Sequence, residues 1–295
     1  MNILVAGGSG LVGQALVNQL NSNGHNVYVL TRQPAKANEI KWDTSTGIIE
    51  PHEILGSIGV IVNLSGQGIN DKRWTKKRKK ELEDSRIGTN QLLFDEIDLF
   101  PNLKHFVSAS GVTAYPFDDG SHLWVEKEAY GNSYIAQLVK SWEASADLFK
   151  KYVPVTKLRI AVVLSERGGA LPQLVSLTNK NLGAALSTGK QQMPWVHLDD
   201  LVNQFVWVIE QNIKGTFNTN AGNVSNGDLM AKLRKIYGKS FNPPNVPSFM
   251  ISLLFGERGD LLLKGNRASN QAIKQAGFTF KYESLTNALT ATKIV

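Results

Sequence analysis

The first twenty residues, MNILVAGGSGLVGQALVNQL, limit the possible folds of this chain more than any other stretch. The apolar run 2–8 is typical of a strand that is buried on both faces of a parallel sheet. Glycines then recur at every third position and open a segment with helical apolar spacing. In such a strand–turn–helix, glycines allow a tight turn and a close approach to a pyrophosphate, and the helix N-terminus offers free N–H groups. The residues predicted to hold the phosphates are Gly7, Gly10, Leu11, Val12 and Gly13.

Strands and helices alternate along most of the chain. Strand-like runs occupy 26–32, 60–66, 105–110 and 156–165, and helical spacing occupies 75–98, 133–151 and 199–213. This alternation predicts an α/β fold, a Rossmann doubly wound parallel sheet with right-handed crossovers. A glycine-rich stretch and a tail of short helices around NPPNVP interrupt the pattern. The predicted domains are a nucleotide-binding domain of 1–165 plus 190–222 and a smaller substrate-side lobe of 166–189 plus 223–295.

The composition excludes several classes of site. The chain has no cysteine, which excludes disulfides, thiolate metal sites and a cysteine nucleophile. Its five histidines lack the HxxxH or HExxH spacing of a zinc site. No apolar run reaches the roughly 18–20 residues of a membrane span, and the start resembles a core strand rather than a secretion signal. We therefore expect a cytoplasmic protein with no metal and no membrane partner.

The positive charge is concentrated in one segment. The net charge is +7, and the range 71–86 contributes eight Lys/Arg and four Asp/Glu, or +4. Lysines and acids four residues apart in it are able to pair on a solvated helix. Nucleic-acid-binding faces more often mix basic with aromatic residues, so the segment favours a solvated helix and no nucleic-acid partner. The pairs are Lys77/Glu81, Lys79/Glu83 and Lys80/Asp84.

The end of the second predicted strand indicates which dinucleotide is bound. NAD(H)-selective proteins place an acid there to accept hydrogen bonds from the adenosine ribose. This chain has Thr31 and Arg32 instead, and no acid before Glu39. The planar guanidinium of Arg32 suits a 2′-phosphate and can stack on adenine. The residues favour NADP(H) over NAD(H), with a simple surface arginine as the alternative.

Motifs along the whole chain resemble one branch of the short-chain dehydrogenase/reductase superfamily. They read VNLSGQGINDKRW, SRIGT, SASGVTAY, SWEASA, IAVVLSERGGAL, STGKQQMPWVHLDDL and FNTNAGNVSNGDL, and the tail reads VPSFMISLLFGERGDLLLKGNRA and AGFTFKY. This set is similar to the atypical extended, epimerase-like family that includes bacterial YfcH and its human homologue. The resemblance implies a Rossmann core, bound NADP(H) and a C-terminal lobe of the DUF1731 type over a substrate cleft.

The resemblance also implies roles for particular residues. It places Thr31 and Arg32 at the adenosine phosphate, and Leu64 and Ser65 beside the adenosine ribose. Further cofactor contacts implied by the resemblance are Glu81, Arg86 and Val163, the last of these at the nicotinamide. A helix-surface ion pair is the alternative for Arg86, and core packing is the alternative for the two apolar residues.

The catalytic pair that is usual in this superfamily is absent. Ordinary members use a tyrosine and a lysine four residues later, on one helix face, for acid/base work. No tyrosine here has a lysine four positions on, and counting from Glu143 puts Ile135 and Val139 at the two positions. The polar candidates left are Ser110 as a hydrogen-bond donor to substrate and Tyr115 as a proton donor. A loop-capping serine and a packed ring are the alternative roles.

The motif PWVHLDDLV predicts a structural helix start. We expect Asp199 or Asp200 to cap the following helix and His197 to lie in the core.

Two functions remain open from the sequence. The first is an NADP(H)-dependent epimerase or oxidoreductase acting on a sugar-like or other small molecule with a hydroxyl or carbonyl group. The second is a regulator that senses NADP(H) after losing the chemistry, which the missing pair favours. The substrate, the reaction direction and the number of subunits stay open, a homodimer being one option.

Overall fold

The computed structural model describes residues 1–292. Its first strand is the one that the sequence predicted. The strands are β1 (Asn2–Ala6), β2 (Asn26–Thr31), β3 (Glu39–Asp43), β4 (Ile48–Ile49), β5 (Val60–Asn63), β6 (His105–Gly111), β7 (Leu123–Trp124), β8 (Val155–Ile160), β9 (Val162–Leu164), β10 (Gln192–His197), β11 (Gly215–Asn218), β12 (Gly222–Ser225) and β13 (Arg267–Ala268).

The helices include those that the apolar spacing predicted after the glycine turn and over 133–151 and 199–213, whereas the predicted helix over 75–98 is two helices. The helices are α1 (Leu11–Ser22), α2 (Lys76–Glu83), α3 (Thr89–Asp95), α4 (Tyr134–Asp147), α5 (Leu171–Asn179), α6 (Leu198–Glu210), α7 (Asn226–Ile236), α8 (Ser248–Phe255), α9 (Asp260–Leu263), α10 (Gln271–Gln275) and α11 (Leu285–Ala291). A π-helical turn, Asp84–Gly88, joins α2 to α3. None of the helices in the described part of the chain is long and apolar enough to cross a membrane.

One large sheet carries the fold, in the order β11-β8-β6-β5-β1-β2-β3-β4. Every neighbouring pair is parallel except the β3–β4 hairpin at the edge. The chain runs outward from β1 in one direction through β2 and in the other through β5. Ligands of such sheets bind at the carboxyl ends of the strands where the order reverses. The sheet therefore places its binding crevice between β1 and β5, and the predicted α/β Rossmann class is confirmed.

Side chains of β1 show how both faces of the sheet are buried. Ile3 and Val5 belong to one apolar cluster, which includes Leu16 of α1 and Phe205 of α6. Leu4 and Ala6, the alternate residues of β1, belong to a second cluster with residues of α3. Because successive side chains of a strand point to opposite faces, a continuous apolar run supplies both layers.

The predicted strand over 156–165 is wrong in one respect, because it is two strands in different sheets. β8 joins the main sheet, whereas β9 pairs with β10 in a three-stranded sheet completed by β12. The break falls at Ala161, whose N–H donates to the Thr219 hydroxyl 3.3 Å away instead of continuing the main ladder. Apolar residues continue through the break, so hydrophobicity alone could not reveal it.

The basic segment 71–86 is less solvated than its composition suggests. Of the three expected pairs only Lys80–Asp84 forms, with 3.0 Å between Nζ and Oδ1. Lys79 instead pairs with Glu257, and Glu81 accepts from Arg78. Glu257 lies outside the helix of Lys79, so helical periodicity could not identify that pair, whereas Arg78–Glu81 has the three-residue helical spacing that the prediction did not include.

Candidate functional site

The glycine-rich turn after β1 depends on close backbone contacts. Gly7 adopts φ +79°, and a Cβ there would lie 2.7 Å from the carbonyl carbon of Leu64. A Cβ on Gly13 would collide with the carbonyl oxygen of Gly7, so α1 packs directly on the turn. Leu64 follows β5, the strand next to β1, and its N–H donates to the Ala6 carbonyl at 2.9 Å. The glycines thus bring the ends of β1 and β5 and the start of α1 together.

The first turn of α1 is not capped by any side chain. Its N-cap residue is Gly10, and no acidic residue occupies the first turn. The N–H groups at a helix start have no partner within the helix, and the helix dipole makes this end favourable for an anion. The start of α1 is therefore available for phosphate.

A cleft of about 560 Å³ opens along this edge of the sheet. Its walls come from the turn after β1, the ends of β2 and β3, the residues after β5 and the π-helical turn region. No Asp or Glu is among the described residues that line it. Half of the twelve predicted cofactor residues lie in its walls, namely Gly7, Gly10, Thr31, Arg32, Leu64 and Ser65.

Several polar side chains in the cleft lack partners within the described residues, Arg32 and Ser65 among them. Arg32 is exposed and makes no ion pair or hydrogen bond through its guanidinium. Ser65 is buried, and its Oγ has no hydrogen-bond partner, although its N–H donates to Asn63 Oδ1 at 2.9 Å. Buried polar groups normally find a partner inside the protein, so an orphaned hydroxyl in a cleft wall indicates a ligand contact.

Sequence reasoning missed several residues of the cleft. The additional wall residues are Ser9, Leu30, Trp42, Thr44, Gly66, Gln67, Ser85 and Thr89. Two of them come from the β3–β4 hairpin, which was not predicted. The signal was present, since β-prone EIKWD precedes TSTG, and Gly47 adopts φ +72° in that turn.

The other predicted cofactor residues lie outside the cleft walls. Leu11 packs against the glycine-rich stretch, 3.6 Å from the position of a Cβ on Gly168, and Val12 packs against the core. Glu81 accepts a 3.0 Å hydrogen bond from Arg78. Val163 lies in β9, away from the main sheet. Their cofactor contacts stay predictions.

Arg86 lies directly behind the cleft wall. Its Nη2 donates to the Gln67 carbonyl at 2.9 Å, and a Cβ on Gly66 would lie 3.0 Å from its Cζ. The guanidinium is buried, its Nε has no partner, and no described carboxylate pairs with it. Burial lowers the pKa of Arg86 to about 10, and the charge of Arg78 acts in the same direction. The group still carries its charge at neutral pH, without a counter-ion of its own.

The positions of the missing catalytic pair belong to the core. Ile135 and Val139 are both buried on α4, where Ile135 packs with Leu82 and Leu138. Neither side chain can transfer a proton.

Ser110 and Tyr115 belong to a buried polar network that also contains Tyr130, Glu143 and Arg159, here called the Glu143 cluster. Arg159 donates to Glu143 through Nε at 2.7 Å and Nη2 at 3.0 Å. The hydroxyls of Ser110 and Tyr130 donate to the same carboxylate at 2.6 and 2.7 Å. Burial alone would raise the pKa of Glu143, but Arg159 and the two hydroxyls outweigh it and hold that pKa below its ordinary value. Glu143 is therefore a fully bonded carboxylate.

Tyr115 has both of its hydrogen-bonding roles filled inside the protein. It is 0% exposed, its hydroxyl donates to Asn218 Oδ1 at 2.8 Å, and it accepts from Arg159 Nη1 at 2.8 Å. Burial raises the pKa of Tyr115 to about 12, against the opposing charge of Arg159. In this arrangement neither Tyr115 nor the buried Ser110 faces the cleft, and their catalytic roles stay predictions.

The expected cap at the start of α6 is wrong. His197 is itself the N-cap, and its Nδ1 accepts from the N–H of Asp199 at 3.1 Å. Asp200 is buried and accepts from the N–H groups of Lys281 and Tyr282 at 2.8 and 2.9 Å. The two acids lie within the first turn of the helix, two and three residues after its N-cap, and His197 is buried as expected.

Comparison with known proteins agrees with the geometry. Residues 3–222 match the model of the NAD dependent epimerase/dehydratase family, and residues 246–292 match a domain of unknown function, DUF1731. An epimerase family protein of Mycobacterium bovis is 33% identical over 97% of this chain and 96% of its own length. The human epimerase family protein SDR39U1 is 30% identical over 98% of both chains.

Solved structures are similar over nearly the whole chain. Human SDR39U1, crystallised with NADPH, superposes with a TM-score of 0.90 at 29% identity and 99% coverage of both chains. A nucleoside-diphosphate sugar epimerase of Corynebacterium glutamicum gives a TM-score of 0.81 at 25% identity, over 99% of this chain and 58% of that one. On this evidence the chain belongs to the NAD dependent epimerase/dehydratase family.

Proposed function

We propose that this protein binds NADP(H) in the cleft and acts as an epimerase or oxidoreductase on a small molecule with a hydroxyl or carbonyl group, such as a sugar. The observation that carries the binding is the uncapped start of α1 beside the unpartnered Arg32. The human relative crystallised with NADPH supports the same cofactor.

The cleft residues fit a dinucleotide phosphate. Gly7 leaves open the space that a Cβ would fill, Ser65 Oγ is orphaned, and no described acid lines the walls. The N–H groups of the first turn of α1 would bind the pyrophosphate. Arg32 would bind the 2′-phosphate in the charge-assisted manner of a guanidinium. Arg86 would add positive charge behind the wall that Gly66 and Gln67 form.

The same cleft determines what the chain contributes to a reaction. Bound NADP(H) supplies or accepts hydride, while the chain orients it and excludes water. We place the substrate between the sheet edge and a lobe formed by 166–189 and 223–295, and we place the protein in the cytoplasm. The packing of Leu11 against Gly168 and Gly169 supports a lobe that reaches the phosphate turn.

Cofactor selection tests the binding proposal. Replacing Arg32 by alanine removes one charge-assisted contact, so we expect NADPH to bind about 1–3 kcal/mol more weakly while NADH is little changed. Lys36→Ala removes an equal charge from the same loop outside the cleft and should leave both affinities nearly unchanged. Isothermal titration calorimetry measures both. Equal affinity of the wild type for NADPH and NADH would contradict the assignment.

A regulatory NADP(H) sensor is the second candidate, favoured by the core positions of Ile135 and Val139 and by the bonded state of the Glu143 cluster. Turnover separates the two candidates. An enzyme should oxidise or reduce the nicotinamide with some member of a broad carbonyl and sugar panel, and Ser110→Ala should lower that rate if Ser110 contacts substrate. Tight NADPH binding without turnover in either protein would favour the sensor.

A further inference from the structure

Strand β3, which lies next to the edge strand β4, leads to two residues at the adenosine end of the cleft that the glycine motif does not predict. β2 and β3 are parallel, and Thr31 is in register with Lys41. Their carboxyl ends therefore lie side by side, which places Trp42 and Thr44 beside Arg32 in the same wall.

Trp42 is fixed in position but has a free donor. Its side chain is buried in the core cluster with Ile40 and Ile49. Its indole N–H makes no hydrogen bond to any described residue, although the residue lines the cleft. This N–H is not one of the described buried donors that lack a partner, so it is open to solvent. A rigid donor without an acceptor, in the wall of a cleft, is suited to an acceptor on a ligand.

The hydroxyl of Thr44 is likewise unbonded, because the neighbouring Ser45 makes the side-chain hydrogen bonds to Asp43 in the turn. The N–H and the hydroxyl of Ser45 both donate to Asp43 Oδ1, at 2.8 and 2.6 Å. These bonds tie the carboxylate of Asp43 into the turn, and Asp43 is not part of the cleft wall. The hydroxyl of Thr44 is exposed and bonds to no described residue.

The first acid after Arg32 in the chain is also engaged elsewhere. Glu39 accepts from the N–H groups of Ala35 and Lys36 at 2.6 and 3.2 Å. The wall thus presents a guanidinium, an indole N–H and a hydroxyl, with no described carboxylate among its lining residues.

We propose that Trp42 and Thr44 complete, with Arg32, a binding site for the phosphomonoester at the adenosine 2′ position, and so determine the preference for NADPH over NADH. This site rests on the proposed function and extends it. The indole N–H and the hydroxyl bind phosphate oxygens beside the guanidinium, and each bond is assisted by the charge of the phosphate. NADH lacks this phosphate, so the loss of either donor affects the binding of NADPH alone.

The test compares NADPH and NADH affinities by calorimetry for the wild type, Trp42→Phe and Thr44→Val. Thr44→Val keeps the shape of the side chain and removes a donor, and Trp42→Phe keeps a smaller aromatic ring and removes the indole N–H. We expect each to lower the ratio of NADPH to NADH affinity by about tenfold. Thr46→Val, in the same turn but outside the cleft wall, should leave the ratio unchanged. Thr44 is exposed, so its variant remains informative if Trp42→Phe folds poorly.

The outcomes separate this site from the proposed function. If the wild type prefers NADPH and Arg32→Ala loses that preference, while Trp42→Phe and Thr44→Val keep it, the site is wrong and the proposed function stands. If the wild type binds neither dinucleotide, both are wrong. Adenosine 2′,5′-bisphosphate as a competitor should bind the wild type more tightly than adenosine 5′-phosphate, and equal competition would also overturn the site.

Discussion

The adenosine end of the cleft and the Glu143 cluster lie at the carboxyl edge of the same parallel sheet, but their polar groups are in opposite states. In the cleft, Arg32 and the Ser65 hydroxyl have no partners among the described residues. In the cluster, Glu143 accepts from three side chains, and Tyr115 both donates and accepts. Groups that the fold leaves unbonded are available to a ligand, whereas groups bonded to one another hold strands and helices together.

Two buried arginines sharpen this contrast. Arg159 pairs with a buried carboxylate, whereas Arg86 donates, among the described residues, only to backbone carbonyls and a serine hydroxyl. A buried charge is costly unless it is paired. We therefore interpret Arg159 as part of the folded framework and Arg86 as a charge whose counter-ion is a ligand.

The largest expected effect is the loss of Arg159. Arg159→Met removes both guanidinium bonds to the buried Glu143 and leaves Lys157 Nζ, 3.7 Å from Glu143 Oε2, as its ion-pair partner among the described residues. Removing one partner of a buried pair costs about 3–5 kcal/mol of unfolding free energy. Urea denaturation measures the loss. Arg167→Met is the matched control, because it breaks an exposed pair with Glu166 and should cost at most about 1 kcal/mol. If the two substitutions lowered the unfolding free energy equally, the buried cluster would stabilise the fold no more than an exposed ion pair does.

The pKa of Tyr115 should also show how completely the Glu143 cluster excludes solvent. This pKa is raised from 10.0 to about 12, so the folded state retains a proton that the unfolded state releases. The resulting stability is complete below pH 10 and is lost as the pH rises towards 12, by about 3 kcal/mol. Tyr115→Phe should remove this part of the alkaline loss in unfolding experiments. A phenolate absorbance titration in which Tyr115 ionises below pH 10 would instead fit the predicted proton donor.

The smallest of the three effects separates strain from ligand binding. Gly7→Ala places a Cβ against Leu64 at φ +79°, whereas Gly24→Ala meets the same strain at φ +81° with nothing within 4 Å. Each should lose about 1–2 kcal/mol of stability from backbone strain. Only Gly7→Ala should also weaken NADPH binding, by at least about tenfold, as measured by calorimetry. A similar loss of binding in Gly24→Ala would show that the glycine-rich turn after β1 affects NADPH binding only through the overall stability of the protein.

Much of the fold could be predicted because it depends on neighbouring residues. β1, the glycine turn and α1 are continuous in the chain, and their apolar period reflects which face is buried. The β3–β4 hairpin was missed, and with it Trp42 and Thr44. Its strands are short, and β4 has only two residues, so the apolar alternation that marks a strand is brief although EIKWD and TSTG carry the local signal.

Other predictions from the sequence were wrong because the hydrogen-bond or ion-pair partners are distant in the chain. Asp200 accepts from residues 281 and 282 instead of capping its own helix. Lys79 pairs with Glu257 instead of the nearby acid. Helical spacing identifies only those pairs that one helix contains.

The sequence by itself determined the dinucleotide-binding unit, the absence of an acid before Glu39 and the absence of the tyrosine–lysine pair, because each is a matter of residue type at a fixed local spacing. Only the tertiary structure decided which polar groups are free. Tyr115 bonds to Asn218, 103 residues away, and Arg32 and Trp42 line one cleft because two parallel strands end at one edge. A hydrogen bond depends on where two atoms meet in space, and chain order does not contain that information.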